Sequence, residues 1–319
     1  MWNVDTVRFT DVSSGPRIVV VGSYVEVFTM EVPRAPLDGE TVIANASRTD
    51  PGGKGSNQAV QMARLGAEVE LLAVVGGDAA GAAALDLWRE EGVSAQLVRT
   101  DPRLPTGVAF VLLEASGRNR IAVEVGANAG LAAADVARAE SAIQAAGLVT
   151  AQFETSPDTA TAAFRRARAA GVPTLLNPAP ARRCSADLFT LVDVLVPNRT
   201  EAAWLSGLPP DAGVEAAARR LREWGAGAVV VTLDEEGALI LDGAGPRLVP
   251  GFRVPVVDTT GAGDAFVGAL AVALAEGRTL DGAVRWANAA GARSVTRAGV
   301  VRGLGTRRDL TAIGEGSVD

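Results

Sequence analysis

The segment DTTGAGDAF, residues 258–266, carries the residues best suited to chemistry. Gly261 and Gly263 flank one alanine, and the acid Asp264 follows directly, at the start of an apolar run typical of a buried helix. Backbone N–H groups at a helix start bind anionic oxygens, and glycines let a phosphate approach closely. A carboxylate there could accept a proton from a hydroxyl that attacks the phosphate. The alternative interpretation of these residues is a helix N-cap on a glycine turn.

Composition excludes several kinds of chemistry. The 319-residue chain has no histidine and one cysteine, Cys184, which excludes histidine-based triads, histidine-bound metals and intramolecular disulfides. The net charge of −7 argues against nucleic-acid partners and membrane surfaces. The sequence shows neither a signal-peptide pattern nor an apolar run suited to a membrane span. We therefore expect a cytoplasmic protein, with residues 1–15 as a mobile leader.

Short apolar runs alternate with helical patterns along most of the chain. RIVVVG at 17–22, for example, is typical of a buried parallel strand. This rhythm predicts a doubly wound α/β fold with a mostly parallel sheet flanked by helices. We interpret residues 16–319 as a single domain. Its last elements are expected to be the apolar segment 252–257, as one more strand before Asp264, and two helices after Asp264.

Two predicted hairpins interrupt the alternation, at about 24–50 and 105–127. The second turns at Ser116 and Gly117. Because both are insertions in the βα rhythm, we expect them to form a small β lid beside the main sheet.

Polar residues follow four of the predicted strands of the main sheet. They are Glu154, Asn177, Asn198 and Thr232. Each one alone is more often a turn or capping residue. In a doubly wound fold, however, the carboxyl ends of the strands are where ligands bind. Four such residues in series, followed by Asp264, favour a functional site at that edge.

Three motifs resemble signatures of the ribokinase-like (PfkB) carbohydrate kinases. GGKGSNQA at 52–59 resembles the N-terminal signature of that family, and DTTGAGDAF resembles the C-terminal one. PNRTE at 197–201 fits its Asn-x-x-Glu motif. The resemblance runs in collinear order from about residue 17 to 306, and within the family the pattern is closest to ribokinase.

The resemblance implies ATP-dependent phosphorylation of a sugar hydroxyl. Asp264 would be the general base, and the N–H groups of Gly261, Ala262 and Gly263 would form an anion hole. The implied sugar-binding residues are Gly53, Lys54, Asn57 and Glu154. The implied nucleotide-binding residues are Asn198, Thr232, Gly237 and Asn288.

The resemblance also implies cations and a partner. Mg²⁺ would be held through water by Asn198 and Glu201. K⁺ would lie at Asp258 and Thr260, with the loop 295–302. The lid would cover the sugar and make a homodimer contact, so the expected partners are a sugar, ATP and a second copy of the chain.

Two departures from the family pattern affect these expectations. Val25 and Val27 stand where ribokinase has an Asn and an Asp that bind sugar hydroxyls, so either the sugar differs or a one-residue shift turns Glu26 inward. Asp234 replaces a glycine of the nucleotide segment, which bears on the choice of phosphoryl donor. Ribose is the first sugar to consider. The alternatives are a nucleoside kinase of the same fold and a non-catalytic sugar-binding protein, and the intact Asp264 argues against the latter.

Overall fold

The computed structural model describes residues 15–116 and 118–315. Residues 1–14 of the predicted leader and Gly117 of the predicted hairpin turn lie outside these ranges. The strands are β1 (Arg17–Val21), β2 (Val25–Val32), β3 (Ala46–Gly52), β4 (Glu68–Leu72), β5 (Val74–Gly76), β6 (Arg99–Asp101), β7 (Gly107–Glu114), β8 (Asn119–Glu124), β9 (Leu148–Gln152), β10 (Thr174–Asn177), β11 (Val194–Leu195), β12 (Ala228–Thr232), β13 (Gly237–Asp242) and β14 (Gly245–Pro250).

Helices alternate with most of these strands. The α-helices are α1 (Lys54–Arg64), α2 (Ala79–Glu90), α3 (Ala133–Arg138), α4 (Glu140–Ala145), α5 (Pro157–Ala169), α6 (Arg199–Ser206), α7 (Val214–Glu223), α8 (Ala262–Ala275), α9 (Leu280–Ser294), α10 (Val300–Gly303) and α11 (Arg307–Gly314). Short 3₁₀ helices span Gly126–Gly130, Ala186–Leu191, Pro210–Ala212 and Asp234–Glu236. None of the helices in the described ranges combines the length and apolar character needed to span a bilayer.

The main sheet has eight strands in the order β14-β13-β12-β11-β10-β9-β1-β4. Pairing is parallel from β4 to β12, and β13 and β14 add an antiparallel edge. Ile18 and Val20 contribute to one core and Val19 and Val21 to the other, because successive strand side chains point to opposite faces. Helices α1, α8 and α9 cover the first face, and α5 and α7 cover the second. The predicted doubly wound α/β fold is confirmed.

A separate four-stranded sheet, hereafter the lid, has the order β3-β2-β7-β8. Strands β2 and β3 pair antiparallel, as do β7 and β8. Parallel pairing of β2 with β7 joins the two hairpins into one sheet. Strands β5 and β6 pair in parallel as a two-stranded sheet of their own.

Two predicted features of the C-terminal third are wrong. Residues 252–257 form no strand, although they are apolar and extended in pattern. The antiparallel β13–β14 pair takes the sheet edge instead, and Pro255 lacks the N–H group that a ladder would need. The short helices α10 and α11 follow α9, so the described chain does not finish with the two expected helices.

Candidate active site

The glycine turn leaves the start of α8 open. Gly261 is the N-cap residue, with φ of +83°, a left-handed conformation that glycine adopts without steric cost. A Cβ at Gly261 would lie 2.5 Å from Cγ1 of Val300, so the turn packs directly against α10. A Cβ at Gly263 would meet no atom within 4 Å. The first turn of α8 therefore has open space beside its backbone, as an anion-binding helix start requires.

Asp264 lies in that first turn and is only 6% exposed. Asn57 Nδ2 donates a hydrogen bond to its Oδ2 at 2.9 Å, and Gln58 Nε2 donates to its Oδ1 at 3.0 Å. Both donors come from α1, which packs closely on α8. The glycine at position 268 permits this approach, since a Cβ there would lie 2.8 Å from Gln61. Two neutral amides from a neighbouring helix thus fix the orientation of the carboxylate.

Asn57 keeps a buried acceptor beside Asp264. Its Oδ1 has no hydrogen-bond donor among the described residues, and the side chain is 5% exposed. Buried amide oxygens are almost always paired, so a ligand hydroxyl is the natural partner for this atom. The predicted sugar-binding role of Asn57 is consistent with this position.

Gln58 extends the network towards two strand ends. It donates to Asn177 Oδ1 at 3.1 Å and accepts from Gln152 Nε2 at 2.6 Å. Asn177 in turn donates to the carbonyl of Val196 at 2.8 Å. The sequence reasoning identified Asn177 but missed Gln58 and Gln152. The available signal was a glutamine next to Asn57 inside the GGKGSNQA motif, on a helix with almost no exposed residue.

Glu154 joins the end of β9 to the start of α1. Its Oε2 accepts from the backbone N–H of Lys54 at 2.8 Å and from the hydroxyl of Ser23 at 2.6 Å. Gly53 is required here because a Cβ would lie 2.7 Å from the Cα of Tyr24. The structure therefore brings together Gly53, Lys54 and Glu154 as predicted, and adds Ser23, which no motif indicated.

The ammonium group of Lys54 lies in the field of several carboxylates. Asp264 makes the largest contribution to raising the pKa of Lys54, and Glu154 and Glu201 add to it against the opposing effect of burial. Lys54 thus stays protonated and provides positive charge next to Asp264.

Asn198 and Glu201 form a capping box at the start of α6. Asn198 Oδ1 accepts from the Glu201 N–H at 2.8 Å, and Glu201 Oε2 accepts from the Asn198 N–H at 2.9 Å. Burial raises the pKa of Glu201, although the hydrogen bond from Asn198 lowers it. Glu201 Oε1 has no protein donor within the described chain. A carboxylate disfavoured by burial, with one free oxygen, fits a divalent cation held through water.

The remaining nucleotide candidates are engaged with the protein backbone. Thr232 donates its N–H to the carbonyl of Pro197 at 3.0 Å, beside Asn198. A Cβ at Gly237 would lie 2.2 Å from the Val249 carbonyl oxygen, and Asn288 Nδ2 donates to that same oxygen at 3.0 Å. These three residues therefore shape the region around β12 to β14.

Asp234 is exposed, and its backbone has a positive φ angle that is unusual for a residue other than glycine. Its φ of +53° lies in the left-handed region, which accounts for a family preference for glycine at this point. Asp234 begins a short 3₁₀ helix and is exposed to solvent there.

Asp258 links the glycine turn to the loop 295–302. Its Oδ1 accepts from the Thr260 N–H at 2.9 Å, and its Oδ2 accepts from the Gly299 N–H at 3.0 Å. Burial works to raise the pKa of Asp258, but these hydrogen bonds outweigh it and hold the pKa below the ordinary value. The predicted association of Asp258, Thr260 and this loop is thus present in the structure.

The register of the lid decides the position of Glu26. Val25 and Val27 share one face of the sheet, opposite Gly52 and Asp50 respectively, whereas Glu26 points to the other face opposite Pro51. Glu26 therefore faces away from the two valines, and its role in sugar binding stays a prediction. Pairing of β2 on both edges, with β3 and with β7, fixes this register.

The chain is similar to known proteins in both sequence and structure. The family model "pfkB family carbohydrate kinase" matches residues 16–307. The chain is 34% identical to the ribokinase of Haemophilus influenzae over 294 residues, covering 92% of this chain and 96% of the relative. It is 35% identical to the deoxyribokinase of Salmonella typhi over 291 residues, covering 88% and 93%.

The structure leads to the same family. Ribokinase of Arabidopsis thaliana, solved in complex with ribose and ATP, matches with a TM-score of 0.86 and 30% identity, covering 94% of this chain and 98% of that one. The range matched by the family model, residues 16–307, spans the lid, α1 and the glycine turn. The chain therefore belongs to the pfkB family of carbohydrate kinases.

Proposed function

We propose that this kinase transfers the γ-phosphoryl group of ATP to a hydroxyl of a small sugar, with ribose as the first candidate. The observation that carries the proposal is the buried carboxylate of Asp264, held by Asn57 and Gln58 beside an open glycine turn. A non-catalytic binding protein would have no use for a carboxylate desolvated and oriented at an anion-binding helix start.

Each step is assigned to a residue. Asp264 accepts the proton of the attacking sugar hydroxyl. The oxygen of that hydroxyl bonds to the γ-phosphorus of ATP, the bond from this phosphorus to the bridging oxygen breaks, and ADP leaves. The N–H groups of Gly261, Ala262 and Gly263 receive the charge that develops on the phosphoryl oxygens. Glu154, Asn57 and Lys54 hold the sugar. Because phosphoryl transfer needs positioning and electrostatics more than imidazole chemistry, a kinase without histidine is coherent.

The nucleotide and its Mg²⁺ are assigned to the opposite side of the glycine turn. Asn198 and Glu201 would hold Mg²⁺ through water, and the ion would neutralise phosphate charge. Thr232, Gly237 and Asn288 would shape the surface for the nucleotide, through the backbone contacts described above. Among the described residues, no group of three or more Asp, Glu, Cys or His side chains is placed to hold a metal ion, so a metal here would depend on water and phosphate ligands.

A monovalent cation is proposed at Asp258 and Thr260. Asp258 is a carboxylate with a lowered pKa that already connects the glycine turn to the loop 295–302. K⁺ bound there would stabilise the turn. The test is a K⁺ titration in buffer free of Na⁺ and K⁺ at constant ionic strength, and a flat response of kcat contradicts the proposal.

The substrate is tested with a panel of sugars. Ribose, 2-deoxyribose, hexoses and nucleosides are supplied with ATP and Mg²⁺, and ADP formation is measured together with the phosphorylated product. We expect kcat/KM to be highest for a free pentose. A preference for nucleosides supports the nucleoside-kinase alternative, and binding without turnover supports a non-catalytic protein.

2-Deoxyribose is a second specific candidate. Val25 and Val27 present methyl groups on the lid, where a missing hydroxyl would be tolerated, and one relative is a deoxyribokinase. A higher kcat/KM for 2-deoxyribose than for ribose would decide for it.

We also propose that the protein forms a homodimer through the lid and that it is cytoplasmic. On the face that carries Glu26, Phe28 and Phe110 stack with ring centroids 5.4 Å apart, and Phe110 remains 52% exposed. Met30 on the same face is 43% exposed. An aromatic patch of this kind on a small sheet is typical of a protein interface. Sedimentation tests the dimer, and cell fractionation tests the location.

A further inference from the structure

A carboxylate stands directly opposite Val27 in the lid. Asp50 of β3 is the cross-strand partner of Val27 of β2, so both side chains lie on the same face. Opposite residues in an antiparallel pair have Cβ atoms about 4.5–5.5 Å apart. A carboxylate on Asp50 can therefore reach the space in front of Val27.

Both ends of β3 adjoin residues that are assigned to the site. Two residues after Asp50, Gly52 packs against Val27 and leads directly to Gly53 and Lys54. Two residues before it, Arg48 is close enough to Asp258 to lower the pKa of that carboxylate, and β3 contacts α10. Asp50 lies on β3 between these two points.

The same face is otherwise poor in acceptors near the glycines. Beside Asp50 it presents Val25, Val27, Ala109 and, across β7, Val123. Asp50 Oδ2 accepts from Arg48 Nε at 2.8 Å, whereas Oδ1 has no donor in the described part of the chain. Arg48 is itself held by Glu31 at 3.1 Å, so the carboxylate is oriented and retains one free oxygen.

We infer that Asp50 is a specificity-determining residue, which accepts a hydrogen bond from a sugar hydroxyl distant from the phosphorylated one. The inference rests on the proposed sugar-kinase function. It assigns to β3 an acceptor that the valines of β2 do not provide, with Arg48 as the residue that positions it.

The experiment compares Asp50→Ala with Glu31→Ala. Glu31 lies on the same face and binds the same arginine, but four strand positions from Val27 on β2. For the best sugar of the panel, Asp50→Ala should lower kcat/KM about 10- to 150-fold, mainly through KM, because a hydrogen bond to a charged group is lost. KM for ATP should change less than about 2-fold. Glu31→Ala should lower kcat/KM far less than Asp50→Ala does, because Arg48 can still bind Asp50 without Glu31.

A rescue variant makes the test stricter. Val27→Asp combined with Asp50→Ala returns a carboxylate to the same space from the opposite strand, and should recover most of the lost kcat/KM. Thermal melting verifies that each variant folds, which the partly exposed position of Asp50 favours.

The possible outcomes test the role of Asp50 and the proposed sugar-kinase function separately. If wild type phosphorylates a sugar but Asp50→Ala keeps its KM, or falls no further than Glu31→Ala, Asp50 belongs to a surface ion pair only and the inference is overturned. Failure of the double variant to recover activity overturns it as well. If wild type phosphorylates no sugar, the proposed function and the inference are both overturned.

Discussion

The catalytic floor, meaning α1, the start of α8 and the ends of β9 and β10, holds its carboxylate differently from the lid. Asp264 in the floor is 6% exposed and is bound by two amides from a packed helix. Asp50 in the lid has 28% of its side chain exposed and is bound by one arginine. Removing a partner from a buried network costs far more than breaking a surface ion pair. Substitutions in the floor are therefore expected to destabilise the protein, whereas substitutions in the lid can alter the substrate preference without unfolding it.

The two regions also differ in what covers them. The floor packs into one of the two cores of the main sheet, where α8 is buried along most of its length. The lid is covered much less, and Phe110, Ile121 and Val123 are more than half exposed. The floor is thus complete within one chain, and the lid is expected to need sugar on one face and a second copy on the other.

The largest effect is expected in the floor, from Asp264→Asn. Loss of a general base should lower kcat about 10²- to 10⁴-fold, and binding of sugar and nucleotide should change little, because Asn preserves the shape of the side chain. Steady-state kinetics and calorimetric titration measure the two quantities. As the matched control, Asp50→Asn in the lid should change KM for sugar and leave kcat close to wild type. A normal kcat in Asp264→Asn would remove its assignment as the base.

The next prediction concerns how tightly the floor is built. Gly261→Ala should lower the free energy of unfolding by about 1–3 kcal/mol, because the residue has a left-handed conformation and its Cβ would collide with Val300. Gly263→Ala is the control, since its Cβ has open space within a helix and should stabilise by about 0.5–1 kcal/mol. Denaturant unfolding of the pair decides the point. Equal stabilities would mean that the turn is not packed against α10 in solution.

The lid is tested by its assembly. Phe110→Glu places a charge in the proposed homodimer contact and should weaken the dimer at least about 10-fold, measured as the dissociation constant by analytical ultracentrifugation. Leu248→Glu is the control, because Leu248 is about equally exposed but lies on the edge strand β14. A wild-type protein that is monomeric at every concentration, or a dimer unaffected by Phe110→Glu, contradicts the lid interface.

The smallest effect is a pH dependence of stability at Glu201. Its raised pKa means that the folded state holds this proton more tightly than the unfolded chain. Its contribution to stability therefore falls as pH rises above the ordinary glutamate pKa of about 4.3. Glu201→Gln retains the cap on α6, so the variant should melt at a higher temperature than wild type at pH 7.

The difference between Glu201→Gln and wild type should shrink as the pH falls and disappear below about pH 3, where the side chain is protonated in both the folded and the unfolded wild type. Glu215→Gln serves as the control, since Glu215 forms an exposed pair with Arg219 and should show no such gain. A Glu201→Gln variant that melts below wild type at pH 7 would mean that the carboxylate is stabilised in the free protein.

The sequence by itself determined the fold class and the chemistry of the floor. Glycines at 261 and 263, the acid at 264 and the turn before α1 are local signals, because backbone conformation and helix starts depend on neighbouring residues. The alternation of apolar strands and amphipathic helices is local too, and it predicted the parallel sheet correctly. The assignment of Glu154 to the site followed from the same rule, that strand ends converge on one edge.

Only the tertiary structure decided which residues meet. Asn57 and Gln58 reach Asp264 across more than 200 positions of sequence, and Ser23 reaches Glu154 across 131. The register of β2 against β3 turned Glu26 away and placed Asp50 opposite Val27. The apolar segment 252–257 forms no strand of the main sheet, because β14 occupies the edge. Pairing of this kind depends on which strand surfaces remain available when the chain folds, and that information does not reside in any local stretch of sequence.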